Sequence, residues 1–297
     1  MPSRINLMFT YGLLVFIWAS TPLAIVWSVA ELHPMWALVL RFFIALPLAV
    51  LVLLFFKIKF PRDKIALLSY LAGSLSLIGS QIFTYAATPY LSSGLIALMF
   101  GLAPIMAGLI GRFGFEQKLG NLQWVGMGTS IIGLALICFS GSQKHVQPIG
   151  ILFMLISVFA YALSIFLVKK INADVQPMAQ ATGSILVSTL CALVLLPWIW
   201  QYAPTHLPAA KSLFALIYTV LMASLIAMFC YFKLVQNLKA TTLSLTTVMT
   251  PLIAILIGAY LNHEQLSAQV FVGAGIILLG LLLYFFQELN QYRRLKS

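Results

Sequence analysis

Charge is what this sequence lacks, and negative charge above all. Six Asp and Glu stand among 297 residues, and charged residues of either sign amount to 8%, against roughly 25% in a soluble domain. The water-facing surface of an ordinary globular protein cannot be assembled from that composition. The six acids, Glu31, Asp63, Glu116, Asp174, Glu264 and Glu288, all map to predicted loops or helix ends. The chain therefore offers no mid-membrane carboxylate of the kind that relays protons in pumps and antiporters.

Cysteine and histidine are as scarce. Cys138, Cys191 and Cys230 each sit within an apolar run, with no Cys-x-x-Cys pair and no histidine at ligand spacing. That argues against disulfides and metal sites and leaves three small core residues. His33, His145, His206 and His263 fall in loops. With no clustered acids, metal ligands or activated nucleophile inside the apolar segments, the constellation of an enzyme is missing. The expectation is a non-enzyme without metal or cofactor.

What the chain does have is apolar length: 62% of its residues are hydrophobic. Runs long enough to cross a bilayer, about 20 residues each, recur ten times, near 7–29, 34–56, 65–88, 91–112, 120–140, 149–168, 177–200, 211–232, 240–262 and 267–287. No room remains for a soluble domain. Arg4 precedes the first run, and Ser28-Val29-Ala30 loosely suits a cleavage site, but the run is longer than the roughly 7–15 residues of a signal peptide; it is read as a retained span.

A net charge of +11 invites a nucleic-acid reading, and the positions of the charges reject it. With the N-terminus in the cytoplasm, the inside segments hold Arg4, Lys57, Lys59, Arg62, Lys64, Arg112, Lys118, Lys169, Lys170, Lys233, Lys239, Arg293, Arg294 and Lys296, whereas Lys144 and Lys211 fall outside. This is the positive-inside pattern with both termini cytoplasmic, so basicity reports topology. Trp27, Trp36, Trp124, Trp198 and Trp200 fall near predicted boundaries, where indole rings anchor helices at the interface.

The chain also repeats itself. Pro104 in GLAPIMAGLIG and Pro251 in VMTPLIAILIG are 147 residues apart, and the same offset pairs Gly111 with Gly258, Gly126 with Gly273, Gly128 with Gly275 and Gly133 with Gly280. Glu116-Gln117 and Glu264-Gln265 match after a one-residue shift, and an offset of 143 pairs Trp18 with Tyr161, Pro34 with Pro177 and Met35 with Met178. Two copies, 1–145 and 146–297, joined near GSQKHVQP, account for the chain. Five crossings per copy force the second to enter with the opposite orientation. The fold class expected is an all-α membrane protein of ten transmembrane helices in two inverted-topology repeats, the plan of many secondary transporters, whose site lies near the midplane.

The residues that carry this duplication also carry a family likeness. IWASTPLA, ALVLRFF and TYAATPYLSSGLIALMFGLAPIMAGLIGRFGFEQKLGNLQWVGMGTSIIGLAL in the first copy, with FAYALSIFLVKK and NLKATTLSLTTVMTPLIAILIGAYLNHEQLSAQVFVGAGIILLGLLL in the second, resemble the EamA-type, ten-helix branch of the drug/metabolite transporter superfamily over essentially the full length. The resemblance implies a central cavity formed by the first, third, fourth, sixth, eighth and ninth helices, opening alternately to each side, and a place in the bacterial inner membrane, often as an exporter. The small multidrug members of the superfamily carry a first-helix glutamate that this chain lacks.

Arg41 is the most informative single residue: it lies about eight residues into the second span, where a charge is costly and marks a functional candidate. It either receives a substrate carboxylate or is satisfied by carbonyls and hydroxyls of neighbouring helices. Gln81 and Tyr85 share a face of the third span, and Ser157, Tyr161 and Ser164 form a stripe on the sixth. Ser244 and Thr247 lie one turn apart on the ninth, Trp18 and Thr21 on the first, and Met99 and Met228 offer adaptable sulfur surface. Each is a cavity candidate, with helix packing as the alternative. Pro104 and Pro251, placed in mid-span, remove backbone donors and suit either a gating kink or a passive one.

The function expected is a secondary transporter, an exporter of small amphipathic or zwitterionic metabolites such as amino acids. Efflux of drugs, and uptake or exchange of a nutrient or cofactor, stand as alternatives. The partners expected are a lipid bilayer and a small-molecule substrate, with one chain forming the path as a functional monomer.

Overall fold

The computed structural model describes residues 4–115, 119–139, 147–237, 246–263 and 267–294, and among them it holds helices and no strand. Ser244, the linker from Gly141 to Val146, Glu116 and Glu264 lie outside the described residues. α1 runs Arg4–Ser28 and α2 Pro34–Phe55; α3 (Lys64–Ser74) continues through a π-helical segment, Leu75–Gly79, into α4 (Ser80–Ala87). α5 (Ser93–Phe100) and α6 (Ala103–Phe115) are separated by a turn at Gly101-Leu102, and α7 (Asn121–Phe139) ends the first half of the chain. The second half holds α8 (Pro148–Ile171), α9 (Pro177–Ile199), α10 (Ala210–Tyr218), a second π segment (Thr219–Ile226), α11 (Ala227–Asn237), α12 (Thr246–Leu261) and α13 (Ala268–Arg294).

Helix starts follow local chemistry. Pro34, Pro148 and Pro177 open α2, α8 and α9, where the missing proline N–H costs nothing. Asp63 caps α3 by accepting from the Ala66 N–H at 3.2 Å, and Ser92 caps α5 from the Leu95 N–H at 3.4 Å. Asn172 ends α8 in the left-handed conformation, φ 47°, which asparagine tolerates.

Eight helices or continuous helical runs among the described residues are long and apolar enough to cross a membrane, and two shorter apolar helices occupy 121–137 and 249–261. Their outer faces are apolar and unburied: Phe55 is 81% exposed and Trp198 67%. A surface of that kind belongs against acyl chains. This is a multi-pass membrane protein.

Hydroxyls and small residues hold the bundle. Ser157 of α8 shares 2.8 Å hydrogen bonds with both Ser80 and Thr84 of α4, and Ser164 donates to the Ala72 carbonyl of α3 at 2.7 Å. Gln180 of α9 accepts from the Ser69 hydroxyl at 2.7 Å and donates to the Ser69 carbonyl at 2.9 Å. α7 and α13 meet through glycine: a methyl added at Gly126 would lie 2.5 Å from the Gly280 carbonyl oxygen, and one at Gly133 2.6 Å from that of Gly273. Backbones can come this close only where no Cβ intervenes. Gly126 against Gly280 and Gly133 against Gly273 also means that the two helices run antiparallel.

Cys191 and Cys230 are free; Cys230 is buried as expected, whereas Cys191 is exposed on the apolar outer face and is not a core residue, and the Cys138 side chain lies outside the described residues.

Candidate functional site

A cavity of about 110 Å³ lies inside the bundle, and its most consequential side chain is Arg41. The residue is 2% exposed. Its Nε donates to Ser224 Oγ at 2.9 Å and its Nη1 to Gln81 Oε1 at 3.1 Å. A guanidinium has five N–H donors, so these two bonds leave donors with no acceptor among the described residues. Neither partner is charged. The full positive charge at the cavity wall is solvated by two dipoles and paired with no acid among the described residues, an arrangement that favours an anionic group beside it.

Both partners come from the π segments or their edge. Ser224 lies within Thr219–Ile226 and donates to the Thr219 carbonyl, five residues back, at 3.0 Å. Gln81 follows Leu75–Gly79 by two residues. Gly79 and Ile226, where the segments end, are 147 residues apart, the spacing of Pro104 and Pro251. Single π turns gather at functional sites, and here the reason is geometric. Ser76 and Gln81 line the cavity from one span and Ala223 and Met228 from the other. Residues five apart would face different directions on an α-helix; the wider π turn brings them to one side.

α1 contributes Trp18, Thr21, Pro22 and Ile25 to the wall, α5 Ala97 and Phe100, α8 Tyr161, and α12 Thr250 and Pro251. The rings pair across helices, Trp18 with Tyr231 at 5.4 Å between centroids and Phe100 with Tyr161 at 5.9 Å. Thr21 spends its hydroxyl proton on the Ile17 carbonyl at 2.6 Å. Gly101, in the turn between α5 and α6, also faces the cavity, and a methyl there would come within 3.1 Å of Pro251 Cγ. The interruption of one copy thus abuts the proline of the other. The result is an apolar chamber lined by aromatics, a few hydroxyls and one cation.

Of the residues singled out in the sequence, Trp18, Thr21, Arg41, Gln81, Tyr161, Met228 and Pro251 meet at this cavity. Tyr85, Met99, Ser157 and Ser164 are not among its lining residues. Ser157 and Ser164 are committed to helix-helix hydrogen bonds, Met99 is packed in the core around α5 and α8, and Tyr85 is packed beneath α2, its hydroxyl buried without a partner among the described residues. The Thr247 side chain lies outside the described residues. Pro104 differs from its expected mid-helix place: it is the second residue of α6, after the turn at Gly101-Leu102, where it removes no helical hydrogen bond. Pro251 lies inside α12.

Pro22, Ser76, Phe100, Gly101, Ser224 and Thr250 were not singled out from sequence. Pro22 follows Trp18 by four residues and could have been found on that face. Ser76 and Ser224 are invisible to a search at period 3.6, since their placement depends on the π turns.

The chain is similar to known proteins along most of its length. The model of the EamA-like transporter family matches residues 7–139 and again 148–286. The uncharacterized inner membrane transporter YedA of Escherichia coli K12 is 27% identical over 271 residues, covering 91% of this chain and 87% of its own. Protein PagO of Salmonella typhimurium is 23% identical over 274 residues, covering 90% and 88%. A solved crystal structure superposes with a TM-score of 0.67 at 16% identity, over 99% of this chain and all of the other, a likeness of fold.

Proposed function

The chain belongs to the EamA-like transporter family, and from that premise we propose that it carries small amphipathic or zwitterionic metabolites, amino acids among them, by alternating access through the Arg41 cavity. The observation that carries this reading is Arg41 itself, a buried cation with unused donors in an otherwise apolar, aromatic-lined chamber. A carboxylate replaces the missing counter-charge, and the apolar wall takes the side chain.

The eight long spans and two shorter apolar helices support a count of ten, and the two separate family matches support a division at 1–145 and 146–297. Antiparallel packing of α7 on α13 is what inverted repeats require of corresponding helices. The basic residues favour cytoplasmic termini, and the name of the E. coli relative favours a bacterial inner membrane. Glu31, Asp63 and Asp174 lie in loops, which disfavours a central proton relay and favours gradient-driven export or exchange by a single chain.

Counterflow tests the reading without assuming an energy source. Proteoliposomes preloaded with neutral or aromatic amino acids should accumulate the labelled compound saturably, and Arg41→Gln of equal abundance and monodispersity should lose it. Silence of the wild type across the panel would remove amino acids from consideration.

A further inference from the structure

Hydroxyls inside this protein's helices are rarely idle. Thr10, Thr21, Thr84, Thr129, Thr182 and Thr189 each donate to the carbonyl four residues back, the ordinary fate of a threonine in an apolar helix. Thr250 does not follow them. Its Oγ1 is buried and has no hydrogen-bond partner among the described residues, the residue is 8% exposed, and it lines the cavity that Arg41 lines. An unmet buried hydroxyl is costly, and Thr250, unlike the other threonines, does not relieve it on its own backbone.

The next residue deepens the same spot. Pro251 lines the cavity too and has no N–H to offer the carbonyl of Thr247, four residues back. One turn of α12 therefore presents acceptor capacity in excess of its donors. Arg41, from the other copy, presents the reverse.

We infer that Thr250 Oγ is the receptor for the hydrogen-donating group of the transported molecule, so that the cavity reads an anionic end at Arg41 and an amino or hydroxyl group at Thr250. The inference rests on the proposed function and narrows it. The preferred substrate is an α-amino or α-hydroxy carboxylate, and a carboxylate of equal size without that group is carried poorly. It also explains how a chamber without a lining carboxylate accepts an ammonium: the ammonium donates to neutral oxygens while its charge is balanced by the substrate's own carboxylate.

Three labelled probes and two variants decide this. Counterflow into proteoliposomes is measured for L-phenylalanine, 3-phenyllactate and 3-phenylpropanoate, which share a ring and a carboxylate and differ at the α-position, in wild type, Thr250→Val and Thr250→Ser. Wild type should carry the first two at least about tenfold faster than the third, because a site built to bond a polar group rejects the analogue lacking it. Thr250→Val should bring the ratio to about one by slowing the polar probes, and Thr250→Ser should keep it within about threefold of wild type. Thr250→Ala replaces the valine if that protein does not reconstitute. A wild type that carries all three equally, or a Thr250→Val that still discriminates, overturns the role of Thr250 while leaving the transporter reading intact. A well-folded wild type that carries none of the three removes these substrates and, with them, the role of Thr250, while membership of the transporter family stands.

Discussion

α7 and α13 lie at the ends of the two stretches that match the family model, and the runs α3–α4 and α10–α11 lie within them, yet the first pair meets backbone to backbone while the second is interrupted by π turns around a cavity. Gly126, Gly133, Gly273 and Gly280 leave the first pair no space to give. Ser76, Gln81, Ala223 and Met228 border empty volume in the second. One bundle thus holds both a close-packed pair and a pair of irregular helices. The two kinds of pair should respond differently to substitution: the first should fail by not folding, the second by not transporting.

The largest effect expected is at the glycine contact. Gly133→Leu drives a side chain into the Gly273 carbonyl and should cost at least about 3 kcal/mol, seen as loss of a monodisperse peak in size-exclusion chromatography. Gly128→Ala and Gly275→Ala, where nothing lies within 4 Å of an added methyl, should leave the protein unchanged. If all three behave alike, the close contact is not what holds α7 to α13.

Next comes the cavity. Arg41→Gln should reduce counterflow at least about a hundredfold while thermal stability changes little, the signature of an interaction made with substrate and not with the fold. Arg41→Lys should fail as well, since an ammonium cannot reproduce the planar fork that reaches Ser224 and Gln81 together. A melting temperature that collapses in both variants would return Arg41 to the packing class.

Smaller is the effect of the hydroxyl clamps. Ser157→Ala removes two interhelical bonds at about 0.6 kcal/mol each, and should lower stability by about 1 kcal/mol with transport retained. A selective loss of flux would mean that α4 and α8 move against each other during the cycle.

The smallest lies in a loop. His33 Nδ1 accepts from the Met35 N–H at 3.3 Å, its ring stacks on Tyr202 at 4.4 Å, and burial pushes its pKa below the ordinary 6.5. With the folded value depressed, the cap stabilises above pH 6.5 and is lost as pH falls below it, when the unfolded chain takes up the proton first. Melting curves of wild type and His33→Gln should therefore converge on acidification.

Much of this was legible in advance. Apolar length marked the spans, and the offset of 147 picked out Gly126, Gly133, Gly273 and Gly280, which meet between α7 and α13. A charge within an apolar run marked Arg41 before any contact was known. What could not be read was which side of a helix each polar residue would occupy once the helix departed from 3.6 residues per turn. Leu75–Gly79 and Thr219–Ile226 contain no glycine pair, proline or charge that announces a π turn. One trace was available: the repeat offset rises from 143 at Trp18 and Tyr161 to 147 at Pro104 and Pro251, so residues had to be added somewhere between, and the π segment of the second copy is three residues longer than that of the first. Ser157 and Ser164 matched the sixth-span stripe yet bond to α4 and α3, because a stripe of hydroxyls suits a neighbouring helix as well as a cavity.

The solitary charge of Arg41 has an electrical meaning. The position 143 residues on, Ser184, is neutral and accepts a bond from Gln180 at 3.2 Å, and no acid pairs with Arg41 among the described residues, so the charge stays with the protein as a solute passes. A zwitterion adds no net charge to the moving complex, and a membrane voltage then neither drives nor opposes its crossing. A simple monoanion would feel the whole field, worth about 2.3 kcal/mol for each 100 mV, or about fifty-fold in its distribution at equilibrium. With the Arg41 charge fixed in the protein, the net charge of the solute is what would make transport electrically silent or a current, and the proposed zwitterion predicts silence.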